Sequence, residues 1–315
     1  MSIDKSAATY VAGHRGLVGS AIWRRLEADG YTNLVGRTSA EVDLRDREAT
    51  FALLHELKPR HLILAAARVG GILANDQHPA EFLSDNLRVQ VNVMDAAQEV
   101  DVERLVFLGS SCIYPKAAPQ PIKEEYLMTG PLEPTNDAYA IAKIAGILQV
   151  QSARKQYGRR WISAMPTNLY GPGDNFSPAT AHVLPALIRR YAEARETRLD
   201  HVTNWGSGTP KREFLYVDDL ARAIVLLMEE YDSPDTINVG TGEDQSIREI
   251  AELVAKVVGY EGETVWDTSK PDGMPRKMLE VSRLKALGWQ PTTSLEDGLR
   301  ETVRWFYEHR AELRS

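Results

Sequence analysis

The sequence predicts an α/β fold, a doubly wound parallel sheet (a Rossmann arrangement) with a smaller C-terminal α/β lobe. Three observations predict it. Short apolar runs alternate with amphipathic helices through the first half, the pattern of strands joined by crossover helices. A glycine-rich turn, Gly13-His14-Arg15-Gly16-Leu17-Val18-Gly19, follows the first apolar run and opens the first helix. From about Tyr170 the alternation stops and proline and glycine thicken, which marks a second lobe.

The elements follow in order. Thr9 to Ala12 is a short strand ending in glycines, and a helix is expected from about Val18 to Ala28 with Ala21, Ile22 and Leu26 on one face. Asn33 to Val35 reads as the second strand. His61 to Ala65 and Leu105 to Leu108 are continuous apolar runs bounded by turns, as strands buried on both faces should be. Helices over Pro79–Glu99 and Asp137–Tyr157 flank them, and Trp161 to Met165 is a further strand. Later helices are expected near Leu184–Arg195, Asp218–Glu230, Ile247–Val258 and Leu295–Glu308. Residues 1–170 therefore read as a dinucleotide-binding domain to which 214–239 return, and 171–315 as mainly a substrate-binding lobe. A ligand cleft is expected between the two.

Composition narrows the function classes. With 315 residues, 43% hydrophobic and 26% charged, the chain has the make-up of an ordinary globular protein. Its one cysteine, Cys112, cannot form an internal disulfide, which speaks against a secreted scaffold and a cysteine-rich zinc site. A cytoplasmic setting and no metal are expected. Met1 to Ala8 carries no apolar signal core, and the longest apolar run, Leu62 to Ala67, is far too short to span a bilayer, so no membrane association is expected. The net charge of −7 argues against nucleic acid as a partner. An anionic ligand must be held by a few placed basic groups.

The motifs point to dinucleotide chemistry. The glycines let the backbone approach a pyrophosphate, and the helix behind them presents unpaired N–H groups. The second strand ends Val35-Gly36-Arg37-Thr38, with no carboxylate for a ribose 2′-hydroxyl. The Arg37 fork, with Arg15 in the loop, suits a 2′-phosphate instead, so NADP(H) is the expected cofactor. Tyr139 and Lys143 stand four apart on one helix face. A phenol ionises only near ~10, and a nearby ammonium is expected to lower that value. Ser110 follows the strand ending at Leu108, at the carboxyl edge where such sheets bind ligands. Each residue also has an ordinary structural reading. Cys112 would be a small buried hydrophobe, His182 a helix-start histidine, Trp205 packing, and Arg190 and Arg212 parts of solvated faces.

The ordered set of glycine loop, Ser110, Tyr139 and Lys143 resembles the extended short-chain dehydrogenase/reductase family. The stretches AGHRGLVGSA, GSSCIYPK, EPTNDAYAIAKIAG, PTNLYGPGDNF, WGSGTPKREFLYVDD and SKPDGMPRK, spread from about Tyr10 to Trp305, are similar to one branch of it. That branch converts GDP-4-keto-6-deoxy-D-mannose to GDP-L-fucose with NADPH, epimerising C3 and C5 and reducing the C4 ketone. The resemblance implies a reductase triad of Ser110, Tyr139 and Lys143, with Cys112 and His182 as acid/base groups. It implies cofactor contacts from Gly13 to Gly19 and from Leu108, Gly109, Ser110 and Ser111. Tyr139, Lys143, Pro166, Thr167, Asn168, Leu169 and His182 would contact it too. Arg190, Trp205, Arg212, Asp272 and Lys277 would meet the nucleotide sugar. It also implies a homodimer built on Pro79–Glu99 and Asp137–Tyr157. Departures are mild: Gly173 and Ser177 stand where some relatives carry histidines, and Arg68 replaces a lysine.

The implied chemistry suits these residue types. A C4 ketone acidifies the neighbouring C–H groups, and the enolate oxygen needs donors such as Ser110 and Tyr139. A thiol and an imidazole both titrate within reach of neutrality. Other readings stand beside this one. A nucleotide-sugar 4,6-dehydratase would carry an Asp-Glu pair where Ser111-Cys112 stands, and Arg37 disfavours an NAD-bound 4-epimerase. A non-catalytic NADP-binding regulator would have no need of all three triad residues.

Overall fold

The computed structural model describes residues 3–178, 180–270 and 272–313. Pro271 of the SKPDGMPRK stretch lies outside them, as do the ends of the expected domain limits.

The chain opens with β1 (Thr9–Ala12), α1 (Leu17–Ala28), β2 (Leu34–Val35), α2 (Arg47–Leu57), β3 (His61–Leu64), α3 (Ile72–Gln77), α4 (Pro79–Glu99), β4 (Arg104–Leu108), α5 (Asp137–Tyr157) and β5 (Arg160–Pro166). Next come β6 (Asn168–Tyr170), α6 (Val183–Thr197), β7 (His201–Trp205), β8 (Lys211–Arg212), β9 (Phe214–Tyr216), α7 (Val217–Glu230) and β10 (Ile237–Val239). The remainder forms β11 (Gln245–Ser246), α8 (Ile247–Val258), β12 (Glu263–Asp267), β13 (Arg276–Lys277), α9 (Ser282–Ala286) and α10 (Leu295–His309).

Six strands make one parallel sheet in the order β10-β5-β4-β3-β1-β2. The expected doubly wound fold is present. Its strands are largely apolar because successive side chains enter different cores. Tyr10, Leu62, Leu64, Leu105 and Phe107 join the core beneath α2, α4 and α5. Val11, Ile63, Val106 and Leu108 point the other way, into the core under α1 and α7. Full burial of each such side chain is worth roughly 1.5–3 kcal/mol.

Strand order reverses between β1 and β3, which opens a crevice beyond their carboxyl ends. The glycine turn sits there. Gly13 has φ +84°, and a Cβ on it would lie 2.8 Å from the backbone nitrogen of Ala66, just beyond β3. A Cβ on Gly19 would lie 2.1 Å from the Gly13 carbonyl oxygen, so α1 can close on the turn only with glycine there.

The second half departs from simple separation. β10 pairs with β5 at the edge of the main sheet, and α7 packs on α1, but β9 pairs with β6 in a small sheet of its own. Leu279 and Val281 enter the core below α4 and α5, while Leu284 and Trp289 enter the one below α1. The smaller lobe centres on α6, α8 and α10, whose Leu187, Ile188, Val254 and Phe306 form a third core. Two short sheets serve it, β12-β7 and β11-β8-β13. Helix α2 is not announced by periodicity. Its buried stripe is only Thr50, Leu53 and Leu54, and Asp46 caps it by accepting the Ala49 N–H.

Candidate active site

β4 delivers Ser110 to the carboxyl edge of the sheet, where a short 3-10 turn, residues Ser111–Ile113, begins. The Ser110 hydroxyl accepts the Cys112 N–H at 3.2 Å and caps that turn. Cys112 thereby faces α5 and packs in one apolar cluster with Tyr139, Phe82 and Ala74. Phe82 meets the Tyr139 ring edge-on, with centroids 6.4 Å apart.

Lys143 lies one helical turn beyond Tyr139. Its ammonium donates to the Leu108 carbonyl at 2.8 Å and stands 4.9 Å from the centre of the Phe107 ring. Burial lowers its pKa to about 8. The expectation that this ammonium lowers the tyrosine is not met. Burial pushes the Tyr139 phenol above its ordinary value, the Cys112 charge adds to that, and Ser110 offsets part of it. The physical reason is visible: the Lys143 ammonium is drawn to the Leu108 carbonyl and sits 5.9 Å from the tyrosine ring centre.

The smaller lobe closes over the thiol. β13 runs parallel to β8 with Lys277 beside Arg212. The Lys277 ammonium donates to the Cys112 sulfur at 3.3 Å. Burial alone would raise the thiol, but Lys277, the Ser110 hydroxyl and Arg212 outweigh it and bring its pKa below the ordinary value. Burial also lowers Arg212, which the Cys112 charge partly offsets; its guanidinium donates to the Met274 carbonyl at 2.6 Å. His182 is the residue before α6, with extended backbone at φ −72° and ψ 169°. Its own surface is open, yet the protein around the cleft and then the Lys277 charge lower its pKa. Ser110, Cys112, Tyr139, Lys143, Arg212 and Lys277 thus converge, and His182 feels the same lysine.

Arg190, Trp205 and Asp272 lie further out. Arg190 donates to the Asn204 side chain at 2.7 Å, which fixes α6 against β7. Trp205, at the end of β7, is 71% exposed, and the Lys270 ammonium lies 5.6 Å from its ring centre. An exposed indole held by a strand is a flat stacking surface rather than core packing. Asp272 accepts the Ser207 N–H at 2.9 Å and its hydroxyl at 2.7 Å, which orders the turn after Trp205.

The loop before α1 fits a dinucleotide. Gly16 starts the helix without a side-chain cap and no acid occupies the first turn, so its leading N–H groups face outward. Arg15 and Arg37 both act on His14 and Glu41. Glu41, which acts on His14, is taken up by the Thr38 N–H and hydroxyl, each at 2.7 Å. Among the described residues Arg37 donates to the Gly36 carbonyl alone, at 3.0 Å, which leaves its fork for an anion. His14 Nδ1 is buried without a protein partner. Pro166 ends β5, Thr167 donates its N–H to Val239 at 3.0 Å, and Asn168 donates to the Glu213 carbonyl at 2.8 Å, which fixes this segment at the carboxyl end of β5.

Among the buried acids that escaped the sequence reading are Glu213 and Asp174. Glu213 is fully buried and accepts the N–H groups of Gly242 at 2.7 Å and Leu279 at 2.9 Å. It ties the ends of β8 and β13 to the main fold. The signal for it is a carboxylate lodged between Arg212 and the apolar run Phe214-Leu215-Tyr216. Asp174, in the loop leading to His182, keeps one oxygen without a partner and is held by burial at a pKa of about 7.

A dinucleotide cradle at the strand-order reversal, with a serine–tyrosine–lysine set on the same edge, defines a dinucleotide-dependent oxidoreductase. The chain belongs to the NAD dependent epimerase/dehydratase family, whose profile matches residues 9–240. Among curated relatives, the putative GDP-L-fucose synthase 2 of Arabidopsis thaliana is 56% identical over 98% of this chain and 94% of that protein. The GDP-L-fucose synthase of Escherichia coli K12 is 52% identical, covering 97% and 98% respectively. Among solved structures, the GDP-L-fucose synthetase of Naegleria fowleri bound to NADP has a TM-score of 0.92 at 29% identity, covering 100% of this chain and 98% of that one.

Proposed function

We propose that this protein converts GDP-4-keto-6-deoxy-D-mannose to GDP-L-fucose by 3,5-epimerisation followed by NADPH-dependent reduction at C4. The observation that carries this reading is the thiol of Cys112, held between a reductase set and two basic side chains. A plain ketoreductase has no use for it. Identity above 50% along nearly the whole length of GDP-L-fucose synthases supports the same activity.

Cys112 and His182 act as the acid/base pair on the carbons beside the ketone. Ser110 and Tyr139 donate to the oxygen on which enolate charge builds. NADP(H) is the cofactor and, when bound, supplies the hydride that C4 accepts. The α1 N-terminus and residues Gly13 to Gly19 would hold its pyrophosphate, Arg15 and Arg37 its 2′-phosphate, and Leu108 to Ser111 with Pro166 to Leu169 would supply further contacts. Lys143 orients the cofactor ribose, and Tyr139 protonates the reduced oxygen. Arg190, Arg212 and Lys277 receive the diphosphate of the sugar nucleotide, and Trp205 with Asp272 its base. An acidic chain needs such placed cations.

The same reading extends to a cytoplasmic homodimer. No helix of the described residues is long and apolar enough to cross a membrane. Val91, Ile141 and Leu148 are exposed on the packed pair α4 and α5, which supports pairing through those helices. A reducing compartment suits a working free thiol.

The test is to run the reaction in deuterated water with NADPH and the 4-keto sugar nucleotide. Deuterium at C3 and C5 with stoichiometric NADPH oxidation is expected. Reduction without label would leave a ketoreductase only.

A further inference from the structure

We infer that Lys277 is a positioning residue for the proton chemistry, its ammonium being the fixed countercharge that keeps Cys112 a thiolate in the resting protein. The inference rests on the acid/base reading of Cys112 but concerns ionisation before any substrate binds.

The contact joins two lobes across 165 residues, with the Lys277 nitrogen 3.3 Å from sulfur. A surface lysine would not hold such a position, but this one is pinned on both sides. The Lys277 carbonyl accepts the Glu213 N–H at 3.3 Å, and Leu279 donates to the buried Glu213 carboxylate at 2.9 Å. Between them Met278 donates to the Gln120 side chain at 2.9 Å and accepts the Ile122 N–H at 2.8 Å. The chain on either side of the ammonium is therefore fixed to the wall that carries Cys112.

The charges facing the sulfur agree in sign. Lys277 on β13 and Arg212 on β8 are cationic, Ser110 donates from its own turn, and Tyr139 on α5 is held neutral by burial. The acids nearby are engaged elsewhere, Asp244 by Arg276 and Glu133 by Lys116. The anion left for Lys277 is the sulfur. The same charge acts on His182 and favours neutral imidazole. When the thiolate takes a proton from carbon, the C–H pair moves toward the ketone oxygen and an S–H bond forms. The attraction between Lys277 and the sulfur then weakens as negative charge builds on the substrate oxygen.

A single cysteine makes the test direct. Alkylation of the intact, substrate-free enzyme by iodoacetamide is followed by mass spectrometry across pH, together with ultraviolet thiolate absorbance. The wild-type midpoint is expected below the ordinary ~8.5. Lys277→Gln should raise it by about one pH unit or more, while Lys277→Arg, which keeps the charge, stays near wild type. A wild-type midpoint at or above the ordinary value overturns the inference without any variant. So does an unmoved midpoint in Lys277→Gln, or a shift in Lys277→Arg as large as in Lys277→Gln. A depressed midpoint with no deuterium incorporation at C3 and C5 upholds the role of Lys277 and removes the epimerase reading.

Discussion

Lys143 holds its ammonium 2.8 Å from the carbonyl oxygen of Leu108, so this lysine is fastened to the last residue of the strand that presents Ser110. Burial brings its pKa from 10.5 to about 8. The ammonium is therefore present below about pH 8 and lost above it. Between about pH 8 and 10.5 the unfolded chain binds more protons than the native one, so this group's contribution to stability rises with pH there. Reduction needs the charge and should move the opposite way. We expect kcat/KM for NADPH-dependent reduction to fall above about pH 8 while thermal melts show no matching loss from this group. A rate that stays level to pH well above that value would remove the ammonium from the reduction step.

Arg37 bears on cofactor choice. Arg37→Ala should weaken NADPH by roughly tenfold or more, the scale of one charged hydrogen bond, and leave NADH almost unchanged. Fluorescence titration with both nucleotides decides it. Equal loss for both would make Arg37 a general contributor rather than the reader of the 2′-phosphate.

Gly19 has no room for a side chain. The Cβ of Gly19→Ala would lie 2.1 Å from a backbone oxygen that cannot turn aside. We expect NADPH affinity to fall at least about tenfold, because α1 must retreat from the turn that it closes. Unchanged binding would mean that the loop meets the cofactor by some other part.

Cys112→Ser and Tyr139→Phe should separate the two halves of the chemistry. The serine variant keeps NADPH binding and loses C3 and C5 labelling by about a hundredfold or more. The phenylalanine variant suppresses hydride transfer more than sugar-nucleotide binding. Labelling at wild-type rates in Cys112→Ser would return the thiol to simple packing.

Asp174 offers a stability test. Its native pKa of about 7 exceeds the ordinary 3.8, so the native state holds an extra proton between those values. Stability from this group is full below about pH 4 and is lost as pH rises through about 7. Asp174→Asn should therefore melt near wild type at acidic pH and be more stable, by roughly 1–3 kcal/mol, at pH 8. Loss at both pH values would show that the carboxylate itself holds the loop.

Where a local pattern suffices, the sequence foretells the structure closely. Helices over Pro79–Glu99, Asp137–Tyr157 and Ile247–Val258 agree to the residue, and the apolar runs at His61 and Leu105 become central strands. Ser110, Tyr139 and Lys143 are legible because a strand end and an i, i+4 spacing bring them together. Long-range pairings leave no such trace. Nothing in periodicity joins Lys277 to Cys112, sends β9 to β6, or buries Glu213 against Leu279. The thin stripe of α2 is also too weak a signal, since one of its three buried residues is a threonine. The neutral, buried Tyr139 could not be read from spacing, because spacing says nothing of where the lysine donates.

The return of Leu284 and Trp289 to the core beneath α1 has a consequence for synthesis. That core also contains Ile22 and Leu26, from the start of the chain. A nascent chain that has made the glycine turn and all of β1 to β5 still lacks α7, the edge strand β10, and Leu284 and Trp289, all of which help to close the core beneath α1. Folding that proceeds from the N-terminus as the ribosome works must wait for almost the entire message before this half can close. Premature termination upstream of Trp289 should therefore yield a degradable fragment, not a free-standing nucleotide binder.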